Sequence, residues 1–433
     1  MIKEQLMKDT QATARSVPEI ATLNGFERQS NGVYATVSSS ADFGYSDGEN
    51  VERTLDKILS SSEDLSSQSA ELESQVSDWP TEYHLSSTRA NLLRPLNLST
   101  SKRVLELGCG CGSISRYLAE QSHLTVDAIE GSPVRAALAA KRCKDLDNIN
   151  FLTANFNALK IPENHYDLVL FVGVLEYAGR FSDGRSDQQA VLDLLELAKR
   201  SLTKTGVVVV AIENRTGLKY LMGAREDHYA IPFIGLDDYP DSTGIRTYNH
   251  AQWLELIDQS PFGASKTLLP FPDYKIPHLL IDADSGSLDK ASAVDALGRI
   301  ESRDYCSPQN SFPMAENEPR IWQGVVEADS LTQLSNSYLL LLGSDAADIT
   351  QLSPKQSVTE LSKPAFNYID ENVHIEPSPY ARINELSQQL DATKTHADEL
   401  QRITVAERER LAQIEHSLGW RLVRSMQRLF GRL

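Results

Sequence analysis

Basic charge is scarce in this 433-residue chain, where 42 lysines and arginines meet 60 aspartates and glutamates for a formal net charge of −18. A surface that tracks nucleic acid is basic, so a general nucleic-acid partner is not expected. Cysteine is scarcer still. The four, Cys109, Cys111, Cys143 and Cys306, build no disulfide framework, which suits a reducing compartment. Cys109 and Cys111 form a C-x-C with no second ligand pair at zinc spacing. Small residues tucked beneath a ligand is the plainer reading, and no metal is expected. No apolar run approaches the ~20 residues that cross a bilayer, and the opening MIKEQLMKDT has no apolar signal core. A soluble, cytoplasmic protein is the expectation. The Gly-Lys-Ser/Thr of a phosphate-cradling loop is also missing.

What is present centres on VLELGCGCG, Val104 to Gly112. Val104, Leu105 and Leu107 read as a buried strand. Ile114, Tyr117 and Leu118 then fall on one face of a helix. Between them stand three glycines at alternate positions, Gly108, Gly110 and Gly112. A glycine bend between strand and helix leaves bare backbone for a ligand at the carboxyl end of a parallel strand. A tight turn without a ligand is the alternative. The dinucleotide fingerprint G-x-G-x-x-G fails, because Ser113 stands where its last glycine belongs. The next apolar run, LTVDAIEGS, ends in Glu130, 18 residues beyond Gly112. That is near the interval at which an acid reaches ribose hydroxyls in such folds, and a carboxylate accepts two hydrogen bonds from a vicinal diol.

The E-x-G-x-G-x-G spacing, with Glu106 two residues before Gly108, resembles motif I of class I S-adenosylmethionine (SAM) dependent methyltransferases. The resemblance implies SAM as cofactor, its amino-acid end against the glycine turn. It implies adenine contacts from Asn155, where the family usually has an acid, and from Phe156 beside the ring. It also implies that the element before the first strand folds over the cofactor. Arg89 would then meet the cofactor carboxylate, and Tyr83 or His84 would face the methyl group; a packed Tyr83 with solvated His84 and Arg89 is the alternative. The turn Gly173–Tyr177 takes the place of motif IV, putting Glu176 and Tyr177 near the transferred methyl. No N/D-P-P-Y appears there, which argues against the DNA-amine type of enzyme.

Alternating apolar runs continue to GVVVVAIEN, five β-α repeats in all. The resemblance implies an α/β, Rossmann-like seven-stranded sheet in the order 3-2-1-4-5-7-6. The expected organisation is an N-terminal hairpin and helical cap (1–78), a methyltransferase domain (79–285), an accessory region with linker (286–378), a coiled-coil helix (379–418) and a basic amphipathic tail (419–433). In the cap, Asn31-Gly32 predicts a type I′ hairpin, and Val51, Leu55, Ile58 and Leu59 predict a helix. YHLSSTRANLLRPL, ELGCGCGSISRYL, GVLEY, IENRTGLKYLMGAREDH and FPDYKIPHLL together resemble methyltransferases encoded among bacterial surface-polysaccharide genes, over Trp79 to Ile281.

A hydroxyl acceptor gains from a general base. Candidates are His84, Glu176, Tyr177 and His228, with His228 first because an Asp or Glu neighbour orients its imidazole. A loop histidine between two solvated acids is the alternative. Glu226-Asp227-His228 looks like a metal trio, but adjacent residues do not readily face one ion, and no metal is expected. From Ile383 to Leu418 a largely apolar seam recurs three and four apart, with Thr393, Thr404 and Glu407 as polar positions; this heptad pattern predicts a homo-oligomer through a coiled coil, and a single docked helix is the alternative. From Leu418 onward stand four arginines and no acids, interleaved with Trp420, Val423 and Phe430. Such an end lies in an anionic membrane interface, at the inner face for a cytoplasmic protein, or binds a partner. The function expected is SAM-dependent methylation of a sugar hydroxyl on a surface glycan or its lipid-linked precursor. A small-molecule or protein acceptor, or an idle SAM fold serving as scaffold, are the alternatives.

Overall fold

Runs of Val, Leu and Ile that are apolar at nearly every position suit strands covered on both faces, and they build one large sheet. The computed structural model describes residues 17–36, 48–182, 184–240, 243–283, 288–300, 318–362 and 379–430. These fall into two compact units, the described residues up to 362 and the terminal helices. In chain order the strands are β1 (Glu27–Arg28), β2 (Tyr34–Ala35), β3 (Arg103–Leu107), β4 (Thr125–Glu130), β5 (Ile149–Thr153), β6 (Tyr166–Val172), β7 (Leu202–Glu213), β8 (Ala264–Phe271), β9 (Leu279–Asp282), β10 (Ser337–Gly343) and β11 (Val358–Glu360). Across the sheet they run β1-β2-β5-β4-β3-β6-β7-β10-β8-β9-β11.

From β2 to β7 all neighbours are parallel. β10 is antiparallel to both β7 and β8. Among the described residues the sheet therefore has eleven strands, and its central seven follow the 3-2-1-4-5-7-6 order. Successive side chains alternate between two cores. Leu105, Leu107, Val169, Phe171, Val208 and Val210 face Trp253 and Trp322 on one side. Val104, Leu168, Leu170, Val207, Val209, Leu339 and Leu341 lie on the other.

Two expectations are corrected. The region 286–378, expected as accessory, supplies a strand to the main sheet; that strand, β10, is buried throughout and sits between β7 and β8. The methyltransferase sheet thus extends well beyond residue 285. Apolar alternation marks a strand, but its pairing partner is a tertiary choice that periodicity does not carry. At Asn31-Gly32 only Gly32 has positive φ (+85°). Its N–H donates to Gln29 O, and Gln29 N–H donates to Val33 O. The loop is therefore three residues long, a turn closed by a left-handed glycine, instead of the two-residue type I′ form.

The helix Glu49–Ser61 forms as the spacing predicts. Leu55 and Leu59 pack with Leu72, Cys111 and Leu138 in a small third core, so this segment leans on the glycine turn itself. In the second unit a 38-residue helix, Pro379–His416, is followed at Ser417 by a break and a second helix, Leu418–Phe430. No described helix is long and apolar enough to cross a membrane.

Candidate active site

The parallel strands deliver their carboxyl ends to one edge of the sheet, where ligands of such folds bind. β3 stops at Leu107, and Gly108 to Gly112 bend the chain into the helix Ser113–Ala119 with φ of +80°, +55° and +82° at the three glycines. At Gly112 glycine is needed twice over. The dihedral is left-handed, and a Cβ would lie 2.8 Å from the Ala139 Cα. Its bareness serves the packing of the helix Pro133–Arg142 as well as any ligand.

β4 ends at Glu130, whose carboxylate ties the turn together. Gly110 N–H donates to Oε2 at 2.8 Å, and Ser132 N–H donates to Oε1 at 2.9 Å. The turn and Glu130 border a cavity that opens to solvent. Glu106, Gly108, Gly110, Arg89, Tyr83, His84 and Tyr177 line it too. Glu106 lies buried under the turn. Ser115 Oγ donates to its Oε2 at 2.5 Å, yet burial dominates and pushes its carboxyl up to about 7.

Arg89 is buried and already engaged. Its Nη1 donates to the carbonyls of Tyr274 (3.1 Å) and Lys275 (2.9 Å), and its Nη2 donates to the Tyr83 hydroxyl (3.0 Å). The guanidinium lies 4.5 Å from the Tyr83 ring centre. It presents a braced positive charge to the cavity, neither solvated nor free. His84 is buried and packs edge-on against Tyr83 at 5.0 Å.

Asn155 is exposed and outside the cavity wall, its Oδ1 accepting from Asn157 N–H at 3.0 Å. Asn157, two residues on, does line the cavity. The side chain of Phe156 lies outside the described residues. Cys109 and Cys111 also line the cavity. Burial holds the Cys109 thiol well above its ordinary pKa, and only a thiolate ligates metal. Cys306 lies outside the described residues.

Tyr177 links this cavity to a second cluster, its ring edge-on to His228 at 5.3 Å. The loop after β7 folds so that Glu226 clamps His228. Its Oε1 takes Nδ1–H at 2.8 Å, and its Oε2 takes the backbone N–H of His228 (2.8 Å) and Tyr229 (2.9 Å). Nε2 then faces Glu176, 3.7 Å from its Oε1. Asp227 turns away to Lys219 (2.9 Å), Lys275 (3.1 Å) and the Tyr220 hydroxyl (2.7 Å). Glu226, Asp227 and His228 thus do not converge on one ion.

Glu176, Glu213 and His228 do converge, and of these only Glu213 was not marked by sequence reasoning. Glu213, closing β7, accepts from Lys275 Nζ at 2.5 Å and from the Tyr274 hydroxyl at 3.2 Å. The signal was available, since Glu213 ends VVVVAIE as Glu130 ends TVDAIE. Burial pulls the His228 pKa down, but Glu213, Glu176 and Glu226 outweigh it and hold it well above the ordinary value. Burial first, then Glu213, raises Glu176. That shift favours the protonated imidazole, which works against the general-base role its sequence neighbours suggest.

Residues 104–192 match the family model of the methyltransferase domain. The chain is 30% identical over 84 residues to the cyclopropane-fatty-acyl-phospholipid synthase of Escherichia coli K12, covering 19% of this chain and 21% of that protein. It is 25% identical over 170 residues to the malonyl-[acyl-carrier protein] O-methyltransferase of Paenibacillus sp. JDR-2, covering 38% and 56%. The chain therefore spans between a fifth and just over half of these curated relatives. Among solved structures, Haemonchus contortus phosphoethanolamine N-methyltransferase 2 in complex with SAM is similar at 14% identity, TM-score 0.33, over 56% of this chain and 49% of that one. A SAM-dependent methyltransferase from Archaeoglobus fulgidus is similar at 14% identity, TM-score 0.32, over 56% and 86%. The glycine turn, Glu130 and the turn at Gly173–Tyr177 all lie inside the matched methyltransferase domain.

Proposed function

We propose that this chain is a SAM-dependent methyltransferase that methylates a hydroxyl of a surface glycan or its lipid-linked precursor. The observation that carries the cofactor is the shared wall formed by the bare glycine turn and the Glu130 carboxylate, bordering one cavity. Glu130 keeps lone pairs beyond its two backbone bonds and takes the ribose diol; the turn meets the amino-acid end, with Arg89 in the same cavity wall. Methyl transfer from a sulfonium is an in-line displacement, so holding the acceptor in a near-attack pose supplies much of the rate. Tyr177 walls the acceptor side.

The hydroxyl acceptor is supported by charge. Glu176, Glu213, Glu226, Asp227 and Asp273 outnumber Lys219, Lys275 and His228 in the network beyond Tyr177. An anionic acceptor would be repelled there, whereas a neutral polyol finds hydrogen-bond acceptors. The glycan context rests on the wider sequence resemblance. Homo-oligomerisation through Pro379–His416 and peripheral contact of Leu418–Phe430 with an anionic membrane at its cytoplasmic face complete the proposal.

Incubation of the full chain with methyl-labelled SAM and fractionated extracts of the source cell tests it. Label in an alkali-stable ether on a glycan is expected. Label confined to protein or small molecules refutes the acceptor, and SAM binding with no transfer to any fraction favours the idle scaffold.

A further inference from the structure

The cluster beyond Tyr177 holds an arrangement that methyl transfer itself does not require. One donor atom each from Glu176, Glu213 and His228 lies within 4.8 Å of the other two. They come from three places in the chain, the turn after β6, the end of β7 and the following loop, so their convergence is a product of the fold. We propose that Glu176, Glu213 and His228 Nε2 form a binding site for a divalent transition-metal cation.

Three observations carry this. The first is the way the histidine is held. A metal-bound histidine almost always gives its other N–H to a carboxylate, which fixes tautomer and ring plane. Glu226 does this to Nδ1, and is itself fixed by two backbone N–H groups and by the Tyr239 hydroxyl at 3.3 Å. The Nε2 edge is thereby aimed at the two carboxylates.

The second is a pair of orphaned oxygens. Glu176 Oε2 and Glu213 Oε2 are buried with no hydrogen-bond partner, and the two side chains are 1% and 0% exposed. Leaving such an atom unmet costs roughly 1–3 kcal/mol or more, and buried charges are ordinarily paired or bound to metal. Lys275 and Tyr274 satisfy only Oε1 of Glu213, which leaves the other oxygen for a cation.

The third is charge. The network joins five carboxylates to two lysines and one histidine. Carboxylates outnumber the lysines in this network, so it favours a bound cation, and His228 Nε2 gives up any proton it holds when it ligates.

Two carboxylates with one imidazole mix hard oxygen and borderline nitrogen ligands, which suits Mn²⁺ or Zn²⁺ better than Ca²⁺. Three protein ligands leave open positions. A hydroxyl taken up there would have its pKa lowered; that consequence rests on the methyl-transfer reading, whereas the site does not.

The test is equilibrium dialysis of the full chain against Mn²⁺ and, separately, Zn²⁺, with pulsed EPR on the Mn²⁺ sample and SAM binding measured on the same preparation. One cation per chain is expected, with ¹⁴N coupling from an imidazole. Glu213→Gln and His228→Ala should abolish uptake, and His228→Ala the coupling. Because Glu213→Gln strips Lys275 of a buried partner, Glu226→Gln is the second variant. It keeps every ligand and should weaken uptake by about 10- to 100-fold. His123→Ala, on a histidine bonded to Leu98 O at the amino edge of the sheet, should change nothing. No uptake by the wild type, or equal uptake by wild type and the His228→Ala and Glu226→Gln variants, overturns the site. A chain that binds SAM but neither cation refutes this proposal alone; one that binds a cation but not SAM refutes the functional reading alone.

Discussion

The Gly110 amide donates to Glu130 Oε2 across 2.8 Å, joining two turns that are 20 residues apart in the chain. The bond fixes the glycine bend of β3 to the end of β4, so the surface that would take an aminoacyl chain and the one that would take a ribose move as one piece. Glu130→Gln keeps the shape but puts an amide where one charged oxygen stood. Hydrogen bonds to charged groups contribute roughly 1.5–3 kcal/mol, so SAM binding should weaken by about 10- to 100-fold in titration calorimetry. Unchanged affinity would remove Glu130 from the cofactor site.

Gly112 tests the bend from the packing side. Alanine there must adopt a φ of +82° with its Cβ 2.8 Å from the Ala139 backbone. Strain of this kind costs about 1–3 kcal/mol, so Gly112→Ala should lower the unfolding free energy of the first unit by that amount, read as a lower urea midpoint with little change in slope. A midpoint equal to the wild type would mean that the helix Pro133–Arg142 moves aside freely.

Glu106 should make stability depend on pH. Its carboxyl is raised by burial to about 7 from 4.5, so between those values the folded chain holds a proton that the unfolded chain has lost. Stability must then fall as pH rises through that window, and a shift of this size is worth roughly 3 kcal/mol at the upper limit. Glu106→Gln stays neutral throughout and can still accept from Ser115. Its melting temperature should gain on the wild type between pH 5 and pH 8; a constant difference across that range contradicts the buried, protonated carboxyl.

Leu418, Leu422, Val423 and Met426 are exposed on a helix whose charged side chains are all arginines. The full chain should float with vesicles containing anionic lipid, and much less so at high salt or with neutral lipid. A chain truncated after Ser417 should remain at the bottom. Equal flotation of both removes the membrane contact.

Much of this was legible because it is local. β3, its glycines, the helix after them and Glu130 lie within one short stretch, where apolar period, turn chemistry and an acid at a strand end all point to the same unit. β10 was legible as a strand but not as the neighbour of β7 and β8, because about 120 residues separate it from β7 and only the completed sheet offers the slot. Glu213, Lys219, Tyr274 and Lys275 escaped for the same reason: each is unremarkable beside its sequence neighbours and acquires its role from groups brought in by other strands. Asn155 was named by analogy with the family, and in the structure Asn157, two residues on, takes the cavity wall.

The central measurement is titration calorimetry of the full chain with SAM and with S-adenosylhomocysteine. One molecule of either bound per chain, with the heat lost or sharply reduced in Glu130→Gln, is the predicted result. No detectable binding of either ligand by the folded wild-type protein would contradict the cofactor site, and with it the methyltransferase.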